Sequence, residues 1–410
     1  MSTHRDIVEH DFNAAQVQAS KVAGAAVSIV ALSLLYVDAG ARLFGNFPRT
    51  YSWSELLISY SGGFVRRGLL GELGYLGDRW VGADLGIAGL LVLSYIAVAT
   101  IAVVAVFRSP TLPGLLCLVS PGLLLFPLWD FDAFGRKDIL LVLTFALTLL
   151  ALRRVTSLWR GFSLLVLAYG VAGLVHEISV LYFVAAVVSL LLSRDDDARS
   201  QIRILAAAVG AVAAFAVFTV LANGTESHIN AMIAEWQSRY PEAYASRGAT
   251  DALSLPAQMS YRIVWGQLHH LGTTAGYLAG FVLTGIPVVW LARSRWEAFR
   301  STRFRVVLLV IGAGAILAPF GLAADWGRYT YLFWMHAFLF FVLTTPREHP
   351  NRRPRLGYAM AAMLLVVVYA TTWQVRHWVV AGENPLVPGP LVNEIVGSFG
   401  QTLGSGEDPP

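Results

Sequence analysis

The chain of 410 residues is 56% hydrophobic and only 14% charged, with a mean hydropathy of +0.60. A soluble domain carries about 25% charged residues, so this balance excludes an ordinary soluble enzyme and implies an all-α, polytopic membrane protein. The net charge of +4 fits basic loops on one membrane face better than a nucleic-acid surface, and the lone Cys117 excludes a disulfide framework.

Residues 1–21 are polar with mixed charge, unlike the short basic start of a cleaved signal peptide. They are expected to form a cytoplasmic segment ahead of a single transmembrane domain, 22–376. Apolar runs follow at about 22–45, 85–107, 112–129, 139–152, 161–193, 204–222, 272–292, 306–323, 329–345 and 357–376. About 20 residues cross the hydrocarbon core, so 161–193 is too long for one ordinary crossing. A carboxylate at its centre would also cost a few kcal/mol or more. Two shorter helices meeting at His176-Glu177 remove both difficulties and give 11 crossings. With the N-terminus inside, 18 of the 30 basic residues and 8 of the 26 acids then lie on the cytoplasmic side, as the positive-inside rule requires. Left unsplit, the run would place the basic loops 293–305 and 347–355 outside.

The split gathers the polar stretches on one face, in outer loops 46–84, 130–138, 223–262 and 324–328. The first is predicted to hold interfacial helices near 52–60 and 66–77 around Ser61-Gly62-Gly63, with Tyr51, Trp53 and Tyr60 at headgroup level. The third contains a helical pattern, HINAMIAEWQSRY, expected to cap the outer face. Residues 377–410 are expected as an outward tail, loosely ordered beyond 384.

The turn WDFDAFGRKD, 129–138, crowds Asp130, Asp132, Arg136, Lys137 and Asp138. A solvated turn of mutual ion pairs is the plainer reading, but ionisable groups at a membrane edge are functional candidates. Arg136 by its fork and Lys137 as a point charge suit phosphate. Asp130 or Asp132 suits a base, or a ligand to a divalent cation; no other cofactor is expected. Histidine side chains can move protons near neutral pH, which makes His176 a catalytic candidate; Glu177 beside it is a second, although helix neighbours do not face the same way. Asp325 and Arg328 read as an i,i+3 ion pair or as part of a site. Arg66 and Arg67, in GGFVRRG, either snorkel to headgroups or bind an anion, with Gly62-Gly63 allowing a close backbone approach. Arg66 is expected to turn inward, and Arg67 to lie along headgroups or pair with Glu72. Glu55, Asp138 and Asp325 are supporting acids. Zinc-ligand spacing, a P-loop and a nucleophile elbow are all lacking. Clustered cations, carboxylates and a His on an outward face suit a lipid-linked diphosphate. The cations would stabilise the departing diphosphate, and the base would deprotonate an acceptor hydroxyl.

The stretches FGRKDILLVLTFALTLLALRR and FSLLVLAYGVAGLVHEISVLYFVAAVVSLLL, about 60 residues together, resemble the central segment of the EpsG/Wzy-type exopolysaccharide polymerases. Arg136-Lys137 matches that family's Arg-polar pair opening a helix. His176, with Ser179 further on, matches its helix-ending His. The resemblance implies a multi-pass enzyme of the bacterial inner membrane that polymerises undecaprenyl-diphosphate-linked repeat units amid membrane lipid, with other polysaccharide-export proteins as partners. The glycosyltransferase C superfamily is similar in its many helices and long first outer loop. Its acidic loop motif would here rest on Glu55, or on Asp130 and Asp132 in the next loop. A transporter or flippase of lipid-linked glycans is the alternative of another class, and such proteins carry polar residues near the bilayer midplane.

Overall fold

The computed structural model describes residues 4–46, 51–194, 197–241, 248–254, 257–293, 303–344 and 356–393. The basic loops around 295–300 and 347–355, which carried part of the charge count, lie outside the described residues, as does the tail 394–410.

A chain this apolar satisfies its backbone polar groups in lipid by forming helices, and the described residues are almost all helical. Helix α1, His4–Gly45, is unbroken. Residues 4–21 are therefore its first turns and not a separate segment; its membrane-competent part is Gln18–Gly45. The next loop carries α2, Tyr51–Leu56, and α3, Gly68–Gly77, close to the two short helices the sequence predicts. The long α4, Ala83–Arg108, packs along α1, where Tyr36 stacks on Tyr95 at 5.1 Å and Tyr95 on Phe134 at 4.7 Å. Trp53 presents no surface to headgroups. It is fully buried, and its indole N–H donates to the Leu43 carbonyl at 3.0 Å.

The run 112–129, expected as one crossing, is instead broken into α5, Leu112–Leu118, and α6, Phe126–Trp129, followed at once by α7, Phe131–Phe134. Pro121 cannot donate an interior helix hydrogen bond, which stops continuation past α5. Helix α8 spans Asp138–Leu152. The 33-residue run splits as the sequence predicts, into α9, Leu158–Val175, and α10, Ser179–Leu192, with His176 in extended backbone between them. Then come α11, Ala198–Leu221, α12, Glu226–Arg239, a 3-10 turn at Gly248–Leu253, α13, Ala257–Leu268, and α14, Leu271–Arg293. After them lie α15, Arg303–Leu317, α16, Pro319–Leu322, α17, Trp326–Thr344, and α18, Leu356–Thr371. The last run stops at Thr371. Strand β1, Trp373–Val375, pairs antiparallel with β2, Leu386–Pro388, in the register Trp373 to Pro388. Residues 384–393 are thus tied into the fold and are not a loose tail.

Among the described residues six stretches are long and apolar enough to cross a membrane: Gln18–Gly45, Ala83–Arg108, Leu158–Val175, Ala198–Leu221, Leu271–Arg293 and Phe304–Leu322. Helix α11 buries only Gln201, Ile204 and Ala208 and exposes Ile202, Val209, Val217, Val220 and Leu221, a surface that suits lipid. By contrast α8 and α10 are short and largely buried. The candidate site lies at the end of the bundle where α9 stops and α8, α10 and α17 start.

Candidate functional site

Four loops deliver charged side chains to that end. The loop between α1 and α4 brings Glu55 and Arg67, the segment before α8 brings Arg136, Lys137 and Asp138, the α9–α10 break brings His176 and Glu177, and the start of α17 brings Asp325 and Arg328. Arg136 Nη1 donates to Glu55 Oε2 at 2.6 Å, and its guanidinium sits 4.6 Å from the centre of the Tyr51 ring, in cation–π range. Arg67 forks onto both oxygens of Glu177. His176 lies between the two glutamates, its Nε2 3.7 Å from Glu55 and its Nδ1 3.4 Å from Glu177. Lys137 is fully buried and donates to the Arg67 carbonyl at 3.0 Å. Arg328 Nε lies 3.3 Å from Asp138, and its Nη1 3.4 Å from Asp325.

Burial opposes charge throughout this centre, and proximity to opposite charge answers it. Burial raises the Glu55 carboxyl, but Arg136, Arg328, His176 and Lys137 together outweigh it and hold the acid below the usual carboxylate range. Glu177 is held well below that range, with burial overcome by Arg67 and His176. For Lys137 burial wins: despite Glu55, its ammonium is pushed down to about 8.

The local fold explains who enters. Arg67 takes a left-handed conformation, φ 66°, just before α3, which carries its side chain to Glu177 and its carbonyl to Lys137. The expected division between the two arginines is therefore reversed. Arg67 turns inward, while half-buried Arg66 docks its main-chain N–H on the Ala222 carbonyl at 2.7 Å. Glu72 does not pair with Arg67; it accepts the Tyr60 main-chain N–H at 3.1 Å. What approaches Gly62 is not a ligand but the backbone of α12: a Cβ there would lie 2.7 Å from His228 Cα. Helix α12 covers this loop as expected of a cap. Trp236 Nε1 donates to the Leu57 carbonyl at 2.7 Å, and Arg239 pairs with Asp78 at 2.5 Å.

Two candidates are employed elsewhere. Asp130 caps α7 and accepts both the main-chain N–H of His377, at 2.6 Å, and its Nδ1–H, at 2.8 Å. Although burial opposes it, these His377 contacts hold Asp130 below its ordinary value. Asp132 is exposed, and only its carbonyl is engaged, by the Ser52 hydroxyl at 3.1 Å. Among the described residues no group of three His, Cys, Asp or Glu gathers as metal ligands.

Sequence reasoning missed Tyr182, Thr330 and His336, which lie inside apolar runs where nothing in the pattern separates them from core; it missed His377 beyond the last run, and it gave Tyr51 only a headgroup role. Several polar atoms buried beside the ionic centre make no hydrogen bond among the described residues: His176 Nε2, Ser179 Oγ, Tyr182 Oη, Thr330 Oγ1 and both Asp138 oxygens. Each such group costs about 1–3 kcal/mol if left unmet. Their concentration marks a place where a polar ligand or water has partners waiting. Compared with known proteins, the chain matches no protein-family model, no curated protein and no solved structure. Fold and site together define a mostly helical membrane protein with a buried ionic centre at one end of the bundle.

Proposed function

We propose that this chain transfers or polymerises polyprenyl-diphosphate-linked oligosaccharide repeat units, working on the outer face of a bacterial cytoplasmic membrane that it crosses 11 times with its N-terminus inside. The observation that carries this reading is the buried ionic centre, in which Arg67, Arg136, Lys137 and Arg328 converge from three separate segments around His176. Helices α8, α10 and α17 also begin there, and their positive dipole ends favour an anion.

In the resting centre each arginine is held by a carboxylate whose geometry a phosphate reproduces. Lys137 uses one of its three protons on the Arg67 carbonyl, leaving two for a ligand. A diphosphate that exchanges for Glu177 on Arg67 frees that carboxylate beside His176. The acceptor hydroxyl then gives its proton to His176, its oxygen bonds to the sugar carbon, and the carbon–oxygen bond to the diphosphate breaks. Arg67, Arg136 and Lys137 stabilise the charge on the leaving group, and Glu55 and Glu177 stabilise the imidazolium.

A glycosyltransferase of the C superfamily would use the same centre with a polyprenyl-phosphate sugar as donor. A transporter or flippase of lipid-linked glycans is favoured by one observation. Orphaned polar atoms continue from the centre to His336, ten residues into α17 and about 15 Å along its axis. Gel analysis of surface glycan in a deletion strain separates the readings. A polymerase defect leaves single repeat units on lipid at the outer leaflet, a transport defect leaves them at the inner leaflet, and unchanged polymer length overturns both.

A further inference from the structure

Beside the ionic centre, α9, α10 and α11 enclose an apolar cavity of about 260 Å³ lined by Val166, Tyr169, Gly170, Val180, Phe215 and Phe218 among others. On α11 the lining runs from Ala211 to Phe218, about 10 Å of helix. Its end nearest the ionic centre is defined by two neighbours. Val180 lies three residues after Glu177, and Phe218 lies one turn before Ala222, whose carbonyl receives the Arg66 N–H. Phe64, two residues before Arg66, packs edge-on against Phe218 at 5.8 Å. The loop that carries Arg66 and Arg67 therefore roofs one end of an apolar groove.

We infer that this groove holds the first part of the prenyl chain of a lipid phosphate whose head group lies at Arg66, Arg67 and Lys137. The inference rests on the lipid-linked diphosphate reading and assigns a place to the lipid. An anionic head joined to an apolar chain matches two arginines joined to an apolar groove. Apart from the Tyr169 hydroxyl the lining is apolar, so it offers little to a sugar or peptide, whereas a hydrocarbon chain enters it from the bilayer with no polar group to desolvate and is held by packing contacts.

The test uses the full-length protein in nanodiscs of phosphatidylglycerol and a polyprenyl phosphate bearing a diazirine on the isoprene unit nearest the phosphate. A Cβ added at Gly170 meets no atom within 4 Å, and Gly170 lines the groove, so Gly170→Phe starts its side chain into open space there. Gly210 on α11 is equally open but exposed, outside the lining, so Gly210→Phe is the control. Photolabelling of the wild-type protein is expected on α9, α10 and α11. Gly170→Phe is expected to reduce it about tenfold, an affinity loss of about 1.4 kcal/mol, and Gly210→Phe to leave it unchanged. Binding of inorganic pyrophosphate by Gly170→Phe shows that the ionic centre has folded; if it does not fold, Ala214→Leu, a milder filling of the same groove, takes its place. Labelling indifferent to the filled groove, or displaced equally well by added phosphatidylglycerol, overturns the assignment. A probe bound but labelled on other helices removes the groove and leaves the lipid-phosphate reading standing. A probe not bound at all removes both.

Discussion

Arg67 is the only non-glycine residue with a positive φ among the described residues. A left-handed backbone costs an L-residue roughly 1–2 kcal/mol, offset here by the fork onto Glu177 and by the Lys137 bond to the Arg67 carbonyl. Arg67→Gly and Arg67→Ala both remove the fork, but only glycine relieves the strain. Thermal unfolding in detergent is expected to place Arg67→Gly above Arg67→Ala by about 1 kcal/mol, while both shorten the surface polymer. Equal stability of the two would show that the turn is not held left-handed. The double arginine was legible in the sequence; which of the two turns inward was not, because a single residue's backbone handedness leaves no trace in periodicity. Lys137 allows a pH test. Its folded value of about 8 lies below the ordinary lysine value of 10.5, so between those two pH values the unfolded chain binds more protons and stability rises with pH. Below about pH 8 the buried charge is present in full, at a cost of about 3 kcal/mol. Unfolding followed from pH 7 to 10 is expected to show that rise in the wild type and its loss in Lys137→Met. Parallel curves would place the ammonium in contact with solvent.

At the scale of elements, the break at His176-Glu177 could be read beforehand because length, a mid-run carboxylate and loop charge all demanded it. The strand pair at the C-terminal end could not. Three-residue strands have no periodicity to detect, and the contact that fastens them is long-range: Asp130 reaches His377 across 247 positions. That contact gives Asp130 a holding role in place of the catalytic one expected of it. Asp130→Ala removes a helix cap, worth about 1 kcal/mol, and two hydrogen bonds to a charged group, worth about 1.5–3 kcal/mol each at most. It is expected to lower the unfolding temperature and to expose 373–393 to protease before the rest of the chain, while folded protein still makes polymer. Loss of polymer with unchanged stability and unchanged protease resistance would restore Asp130 to the chemistry. The run 112–129 was misread for a related reason. Its apolar content is continuous, and Pro121, which ends the helix, changes the chain direction without changing hydropathy.

Across the whole molecule, short buried helices stand inside long exposed ones. Helix α8, at 15 residues, reaches about 22 Å, and α10, at 14 residues, about 21 Å, against a hydrocarbon core of about 30 Å. Packed among α4, α9, α11 and α17, they need not match that thickness themselves, and the ionic centre lies at the end where both start. On the proposed function that end must open on the face where a lipid-linked substrate waits, and the sequence assigns that face by loop charge alone. The orientation is testable because the single native cysteine, Cys117, is buried and free, so an introduced cysteine reports without background. Asp132 is exposed at the site end, and Arg154 is exposed in the turn between α8 and α9 at the opposite end. With a membrane-impermeant maleimide, Asp132→Cys is expected to label in intact spheroplasts, and Arg154→Cys only after the membrane is opened. The reverse pattern would put the ionic centre on the cytoplasmic side. There, nucleotide-linked donors are at hand, and the case for a polyprenyl-diphosphate donor would fall with the topology.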